Sequence, residues 1–440
     1  MIGQFPWDPF PHGIPLPKGP DPLPALAYEA AVKAADAYHG VRDALQIEGD
    51  TMRVGNRFVP LGYYRDIAFI ACGSAAGSMA IAALDSLHDR LTMGFTVGPT
   101  PIPPEVPFLH ISLPLGSPGT PRAEEAARGA LEVAESLGEH QLLLLLLSPG
   151  TIAALALPPP GMSGEEFGRF LTNAHERGAS GREVGLLARV LARGPVGGRL
   201  GAAVQKADVA TFIVDHGDGA TLLGGGPAHP IAPREREEAR SVLRRLDLQR
   251  ALPSATIAEL APGGGPAQSG EPPRHRPVRV AGPNDALRAA GDVIFDKKWR
   301  SRLAMLQIEG PPELAADRFL ERFEAIVARE ADLELDHSQG IGAFAMTTLG
   351  LPEGADEGPA LARFLHRAQE RMRRPEMSIA LLRTAGTIGD EAYPPGAVIG
   401  RPTDPQAKVP VGRARAIPMQ SGVTDVGCLA IALLGKPSTA

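Results

Sequence analysis

The chain has 440 residues, of which 44% are hydrophobic and 21% charged, with a formal net charge of -6. That composition belongs to a globular protein long enough for two or three domains, not to a disordered chain. The mild acidity excludes an electrostatic case for nucleic acid, and no apolar run approaches the roughly 20 residues that a membrane-spanning helix needs. Two cysteines, Cys72 and Cys428, point away from a disulfide framework and towards a reducing compartment. With an N-terminus that lacks the basic and apolar regions of a signal peptide, this gives the expectation of a soluble, cytoplasmic protein.

In chain order, residues 1–24 form a Pro-rich arm carrying Phe5, Trp7 and Phe10. It is either a surface arm or one that docks on a second copy to make a homo-oligomer. An Ala-rich amphipathic helix is predicted over 25–45, followed by a hairpin turning at Gly55-Asn56. Asp66–Cys72 reads as a buried strand that runs through Gly73-Ser74-Ala75-Ala76-Gly77-Ser78 into a helix. Thr120-Pro121 opens the next helix, which Gly138 ends. Leu142–Leu147, six consecutive leucines, reads as a strand buried on both faces of a parallel sheet. Ser163 and Glu166 have capping-box spacing ahead of another helix. Val209–Val214 is a third strand, entering Asp215-His216-Gly217-Asp218-Gly219, and Pro233 opens a charged helix reaching about Leu248. Residues 262–277 are a Pro/Gly-rich linker. Beyond it come a short strand and turn at Val278–Asn284, helices over 313–330 and 360–373, and apolar segments at 378–385 and 426–434. Alternating strands and helices predict an α/β fold with two domains, mainly parallel three-layer sheets and a Rossmann-like N-terminal domain. The boundaries expected are 25–261 and 278–440, on either side of the linker.

In open α/β sheets ligands bind beyond the C-terminal ends of strands, and three such ends carry suitable loops. The small residues from Gly73 to Ser78 serve either close approach of an anion to backbone N–H groups or tight strand–helix packing. Ser148-Pro149-Gly150-Thr151 offers hydroxyls to phosphate or sugar oxygens, or is a plain turn. Asp215 and Asp218 supply two carboxylates of the kind that hold Mg²⁺, although Asp-Gly is also turn chemistry. Walker A, dinucleotide-fold and nucleophile-elbow motifs are missing, and the eleven histidines have no zinc-type spacing.

The order of these loops resembles that of the type-2 glycerate kinases. Seven segments carry the resemblance: the opening helix, hairpin and first strand–loop–helix from Val41 to Leu84; LLLLLLSPGT; RVLARGPVGGRL; DHGDGATLLGGGP; VAGPNDAL; RTAGTIGDEAYPPGAV; and QSGVTDVGCL. The resemblance implies ATP and Mg²⁺ as cofactors, a small hydroxy acid as ligand, and transfer of the γ-phosphoryl group to the 2-hydroxyl of D-glycerate. It also implies roles for Asp215, Asp218 and Arg189 in catalysis and metal binding. Gly73, Ser74, Ser148, Gly150, Arg199, Asn284, Thr387 and Thr424 would bind nucleotide or substrate. The chain departs from the family's pattern at the cations and carboxylates on which phosphoryl transfer depends. Ser74 stands where the first loop has lysine, Val190 and Val196 stand at two lysines of the basic segment, Ile388 replaces an aspartate, and Cys428 another. Two outcomes follow: a member that keeps the fold and loses glycerate phosphorylation, or a divergent active phosphotransferase in which Arg193 and Arg199 substitute for the lysines.

Overall fold

A computed structural model describes residues 23–54, 57–87, 90–98, 109–113, 120–204, 206–216, 227–261, 276–330, 340–348, 358–372, 377–384, 397–399 and 428–435. They fall into two units. The first takes Ala37–Val280, and the second takes the described residues before Ala37 together with those from Ala281 onward.

The first unit is organised by a six-stranded sheet in the order β6-β5-β4-β7-β8-β9. β4 (Asp66–Cys72) and β7 (Gln141–Leu147) are its centre, pairing in parallel from Asp66↔Gln141 to Cys72↔Leu147. β5 (Leu91–Val97), β6 (Leu109–Leu113) and β8 (Asp208–Val214) extend it, all in parallel. Ala68, Ile70, Cys72, Leu143, Leu145 and Leu147 face a core that includes helices α4 (Pro121–Ser136), α6 (Gly164–Glu176) and α7 (Gly181–Leu191). The alternate set, Ile67, Phe69, Leu142, Leu144 and Leu146, is equally buried. Side chains alternate between the faces of a strand, so both faces of this sheet are covered. Each fully buried leucine contributes about 1.5–3 kcal/mol relative to exposure, which makes the predicted leucine run the strongest single determinant of the sheet.

Local signals set the helix starts. The Thr120 hydroxyl accepts the Ala123 N–H (3.3 Å), with Pro121 at the first helical position. Ser163–Glu166 and Ser180–Glu183 both close reciprocal capping boxes. The predicted 25–45 helix is two helices, α1 (Leu23–Ala34) and α2 (Ala37–Ala44), broken where the chain passes from the second unit to the first. The predicted hairpin is a three-stranded meander of β1 (Leu45–Glu48), β2 (Thr51–Val54) and β3 (Arg57–Pro60). Gly49, at φ +60°, makes the additional two-residue turn.

β9 (Val278–Ala281) follows the linker in sequence yet flanks β8, so the first unit reaches beyond the expected boundary. In the second unit α1 packs on α11 (Pro283–Asp296), a helix beginning where the sequence predicted a turn. The second sheet has the order β10-β11-β14-β12-β13. β10 (Arg300–Ile308) and β11 (Gly340–Thr347) pair in parallel. β14 (Cys428–Gly435) lies antiparallel to β11 and to β12 (Met377–Arg383), and β13 (Ala397–Ile399) closes the edge antiparallel to β12. Helices α12 (Pro312–Glu330) and α13 (Gly358–Arg371) pack against each other and on this sheet. The second sheet is thus mixed, whereas β4 to β8 of the first sheet pair in parallel throughout. No helix among the described residues is long and apolar enough to cross a membrane.

Candidate functional site

Three of the predicted loops lie at the C-terminal ends of β4, β7 and β8, adjacent strands of the first sheet. The first two loops are bonded to each other. Ser148 Oγ accepts the Ala75 N–H (2.9 Å) and reaches the Cys72 carbonyl (3.2 Å), and the Ser74 N–H donates to the Pro149 carbonyl (2.8 Å). The Gly73 N–H donates to Val97 O (2.9 Å) and the Ala76 N–H to Gly73 O (3.2 Å). The Thr151 hydroxyl, fully buried, lies 2.8 Å from the Cys72 carbonyl and 2.7 Å from that of Ser148. Every backbone donor from Gly73 to Ala76 therefore has a partner within the protein.

Gly73 is required by this arrangement. At φ +112° a Cβ would sit 2.3 Å from the Ser148 carbonyl and 2.6 Å from that of Pro149. Ser74 Oγ, by contrast, is shielded and has no hydrogen-bond partner. Gly150 takes φ +91° as the N-cap of α5 (Thr151–Leu155). Asp215 follows β8 directly and is half-buried. Asp218 lies outside the described residues, as do Thr387, Thr424 and most of the arm at 1–24. Asn284 is at the second position of α11, in the second unit.

Arg189 is buried and held within the protein. Its side chain is 2% exposed, and Nε donates to Glu235 (2.9 Å). Its Nη2 reaches the carbonyls of His229 (3.2 Å) and Pro230 (3.4 Å). Glu235 also accepts the Ala232 N–H (2.7 Å) at the start of α9 (Pro233–Arg245). The guanidinium thus fastens α7 to the segment entering α9. Burial, and then the Arg189 charge, hold the His229 imidazole below the usual histidine range.

The segment after α7 turns through Gly194, Gly197 and Gly198, all at positive φ, into α8 (Arg199–Ala203). Arg193 ion-pairs with Glu259 on α10 (Ser254–Leu260), and Arg199 donates to the Ala192 carbonyl (3.0 Å). Glu259 was not singled out by sequence, because its partner is 66 residues away. A separate open cleft of about 640 Å³ lies between α6 and Pro253, lined in part by Met162, Arg169, Phe170 and Arg250. None of the predicted site residues lines it.

Comparison with known proteins places these features. Residues 25–261 match the family described as a domain of unknown function, DUF4147. The D-glycerate 2-kinase of Thermotoga maritima is 27% identical over 194 residues, covering 42% of this chain and 44% of that protein. The glycerate 2-kinase of Pyrococcus horikoshii is 26% identical over 239 residues (53% and 52%), and the glycerate kinase of Homo sapiens 26% over 252 residues (53% and 47%). The matched stretches span about half the length of these relatives. In structure, the chain is similar to the Thermotoga maritima glycerate kinase, with a TM-score of 0.66 and 18% identity over 94% of this chain and 98% of that one. A Pyrococcus horikoshii protein gives a TM-score of 0.64 at 19% identity, with the same coverage.

Proposed function

This chain belongs to the DUF4147, glycerate-kinase-like family, and from that premise we propose that it is a small-molecule-binding member in which phosphoryl transfer to a 2-hydroxy acid is weakened or lost. One observation carries the reading. At the end of β4, where the resemblance implies a lysine, Ser74 brings no charge, and the loop's N–H groups from Gly73 to Ala76 are committed to Val97, Pro149, Ser148 and Gly73. Phosphoryl transfer depends on positioning and on neutralising phosphate charge, and this loop supplies neither a cation nor a free backbone N–H from those four residues.

Mg²⁺ takes one or two protein carboxylates and completes its shell with phosphates and water. Asp215 fits the first of these requirements, and among the described residues no group of three metal-ligating side chains converges. In a complex with Mg·ATP, Asp215 would hold the ion, whose contribution is to neutralise phosphate charge. Asp215 and the cationic Arg199 are the features that favour the second reading, an active ATP- and Mg²⁺-dependent phosphotransferase in the cytoplasm.

The test is ATP-dependent phosphorylation of D-glycerate by the purified full chain with Mg²⁺, run beside the Thermotoga maritima glycerate kinase. Loss of one charge-stabilising group costs on the order of 10²–10³-fold in turnover, so a deficit of at least about 10²-fold is expected. Turnover within about tenfold of the reference enzyme overturns the proposal.

A further inference from the structure

The open cleft beside α6 has a single helical stripe as one of its walls. Glu166, Arg169, Phe170 and Asn173 line it, and their spacing of three and four residues puts them on one face of α6. Arg250 and Leu252, in the segment between α9 and α10, line the other side. The two sides are tied together beyond both ends of the stripe. Before α6, Gly161 packs on Pro253, to which a built Cβ would stand at 3.4 Å. After it, Arg177 at the C-cap of α6 donates to the Leu246 carbonyl (3.0 Å). The volume of about 640 Å³ is within the range of small-molecule sites.

The chemistry of the cleft is divided between floor and rim. Phe170 and Leu252 are 4% and 8% exposed and belong to the core beneath, so they make an apolar floor. Arg169 and Arg250 are both exposed and make a cationic rim. Arg250 has no hydrogen bond or ion pair among the described residues. Arg169 pairs with Glu165 at 3.8 Å, with both side chains largely in solvent, and a pair so exposed contributes little and yields readily to another anion. Glu166, the one acid on the lining, is committed to its own helix, where it accepts the Ser163 N–H (2.7 Å). Asn173 accepts from Arg177 Nε (3.1 Å) through its carbonyl oxygen, which leaves its amide N–H groups as donors. Cationic and neutral donors thus surround an apolar floor.

We propose that this cleft binds a small carboxylate with an apolar body, its carboxylate held by Arg250 and Arg169 and its body laid on Phe170 and Leu252. A guanidinium fork matches the two oxygens of a carboxylate, and the apolar body gains free energy by leaving water for the floor. None of the strand-end residues takes part, so the site stands or falls separately from the proposed function.

The experiment is calorimetric titration of the full chain with hydrocinnamate, set against acetate, which lacks the apolar body, and hydrocinnamyl alcohol, which lacks the charge. A dissociation constant on the order of 1 mM is expected for hydrocinnamate, the scale for a ligand of its size, with each of the other two at least about tenfold weaker. Arg250→Gln should weaken hydrocinnamate binding about three- to tenfold, and Arg250→Lys should weaken it less. Ala251→Trp, at an exposed position of the lining, should abolish binding by filling the cleft. Unliganded melting of each variant separates a folding defect from a binding defect. Absence of saturable hydrocinnamate binding up to about 10 mM, acetate binding as tight as that of hydrocinnamate, or an Arg250→Gln variant that folds and binds as the wild type does would each overturn the site.

Discussion

Replacing Gly73 with alanine tests whether the β4 and β7 loops depend on each other. The new Cβ would lie 2.3 Å from the Ser148 carbonyl, 2.4 Å from Ser148 Oγ and 2.6 Å from the Pro149 carbonyl, two of them backbone atoms that cannot rotate away. An L-residue held at positive φ costs about 1–2 kcal/mol. Moving the Ser148–Pro149 segment to relieve the contacts costs about 1–3 kcal/mol more, by analogy with overpacked cores. The shift also weakens the Ser74–Pro149 and Ala75–Ser148 hydrogen bonds, at roughly 0.5–1.5 kcal/mol each. The expected loss is about 3–8 kcal/mol, read as a lower urea midpoint for the first unit at unchanged slope. Gly185→Ala is the internal control. It lies within α7 with nothing within 4 Å of a built Cβ, so it should stabilise by about 0.5–1 kcal/mol. A Gly73→Ala protein within about 1 kcal/mol of wild type would refute the argument, because the two loops would then be free to separate.

Two further substitutions follow from buried pairs. Arg189→Met leaves the carbonyls of His229 and Pro230 without their donor and Glu235 without its cation, for a loss of about 3 kcal/mol. The Arg189→Met, Glu235→Gln double variant should recover part of this in a thermodynamic cycle, and strict additivity would count against the pair. Tyr38 donates to Asp85 (2.5 Å), and burial, with help from that bond, pushes its phenol up to about 12. The unfolded phenol titrates near 10, so the fold binds more protons than the unfolded chain between these values. Stability is full below pH 10 and is lost as pH rises towards 12. Tyr38→Phe should flatten that descent in urea titrations run across the window, and an unchanged pH profile would remove Tyr38 as its source.

The sequence revealed the elements whose signals are local. β7 is legible because six leucines have no other use than a strand buried on both faces, and α4 and α6 because Thr120-Pro121 and Ser163/Glu166 mark their starts. β11 was not legible: Gly340 and Gly342 weaken the strand signal of GIGAFAMT, yet all eight of its residues are buried. β10 was hidden by Arg300 and Arg302, whose charges are taken up by Glu330 on α12. The position of β9 depends on topology across the linker, which periodicity cannot report. At the site, sequence located the loops but not their use. That Ser148 serves Ala75, 73 residues earlier, is a fact of strand order. The Arg193–Glu259 pair is likewise a product of helix packing.

The mutual bonding of the two loops also bears on how the chain can carry Ser74. The frame at the ends of β4 and β7 is held by Gly73, Ser148 and backbone groups, and the Ser74 hydroxyl contributes no bond to it. Scaffold and charge are therefore borne by different residues, and the charge can change while the frame stays. Ser74→Lys puts this to use. The residue keeps partial exposure, through which a flexible lysine stem can lead its ammonium to solvent, so stability should stay within about 1 kcal/mol of wild type. If the missing cation limits phosphoryl transfer, ATP-dependent glycerate turnover should rise at least about tenfold, the effect of recovering part of one charge-stabilising contact. A variant that folds as the wild type does and gains neither turnover nor ATP affinity would show that the absence of lysine at this position is not what limits the chemistry.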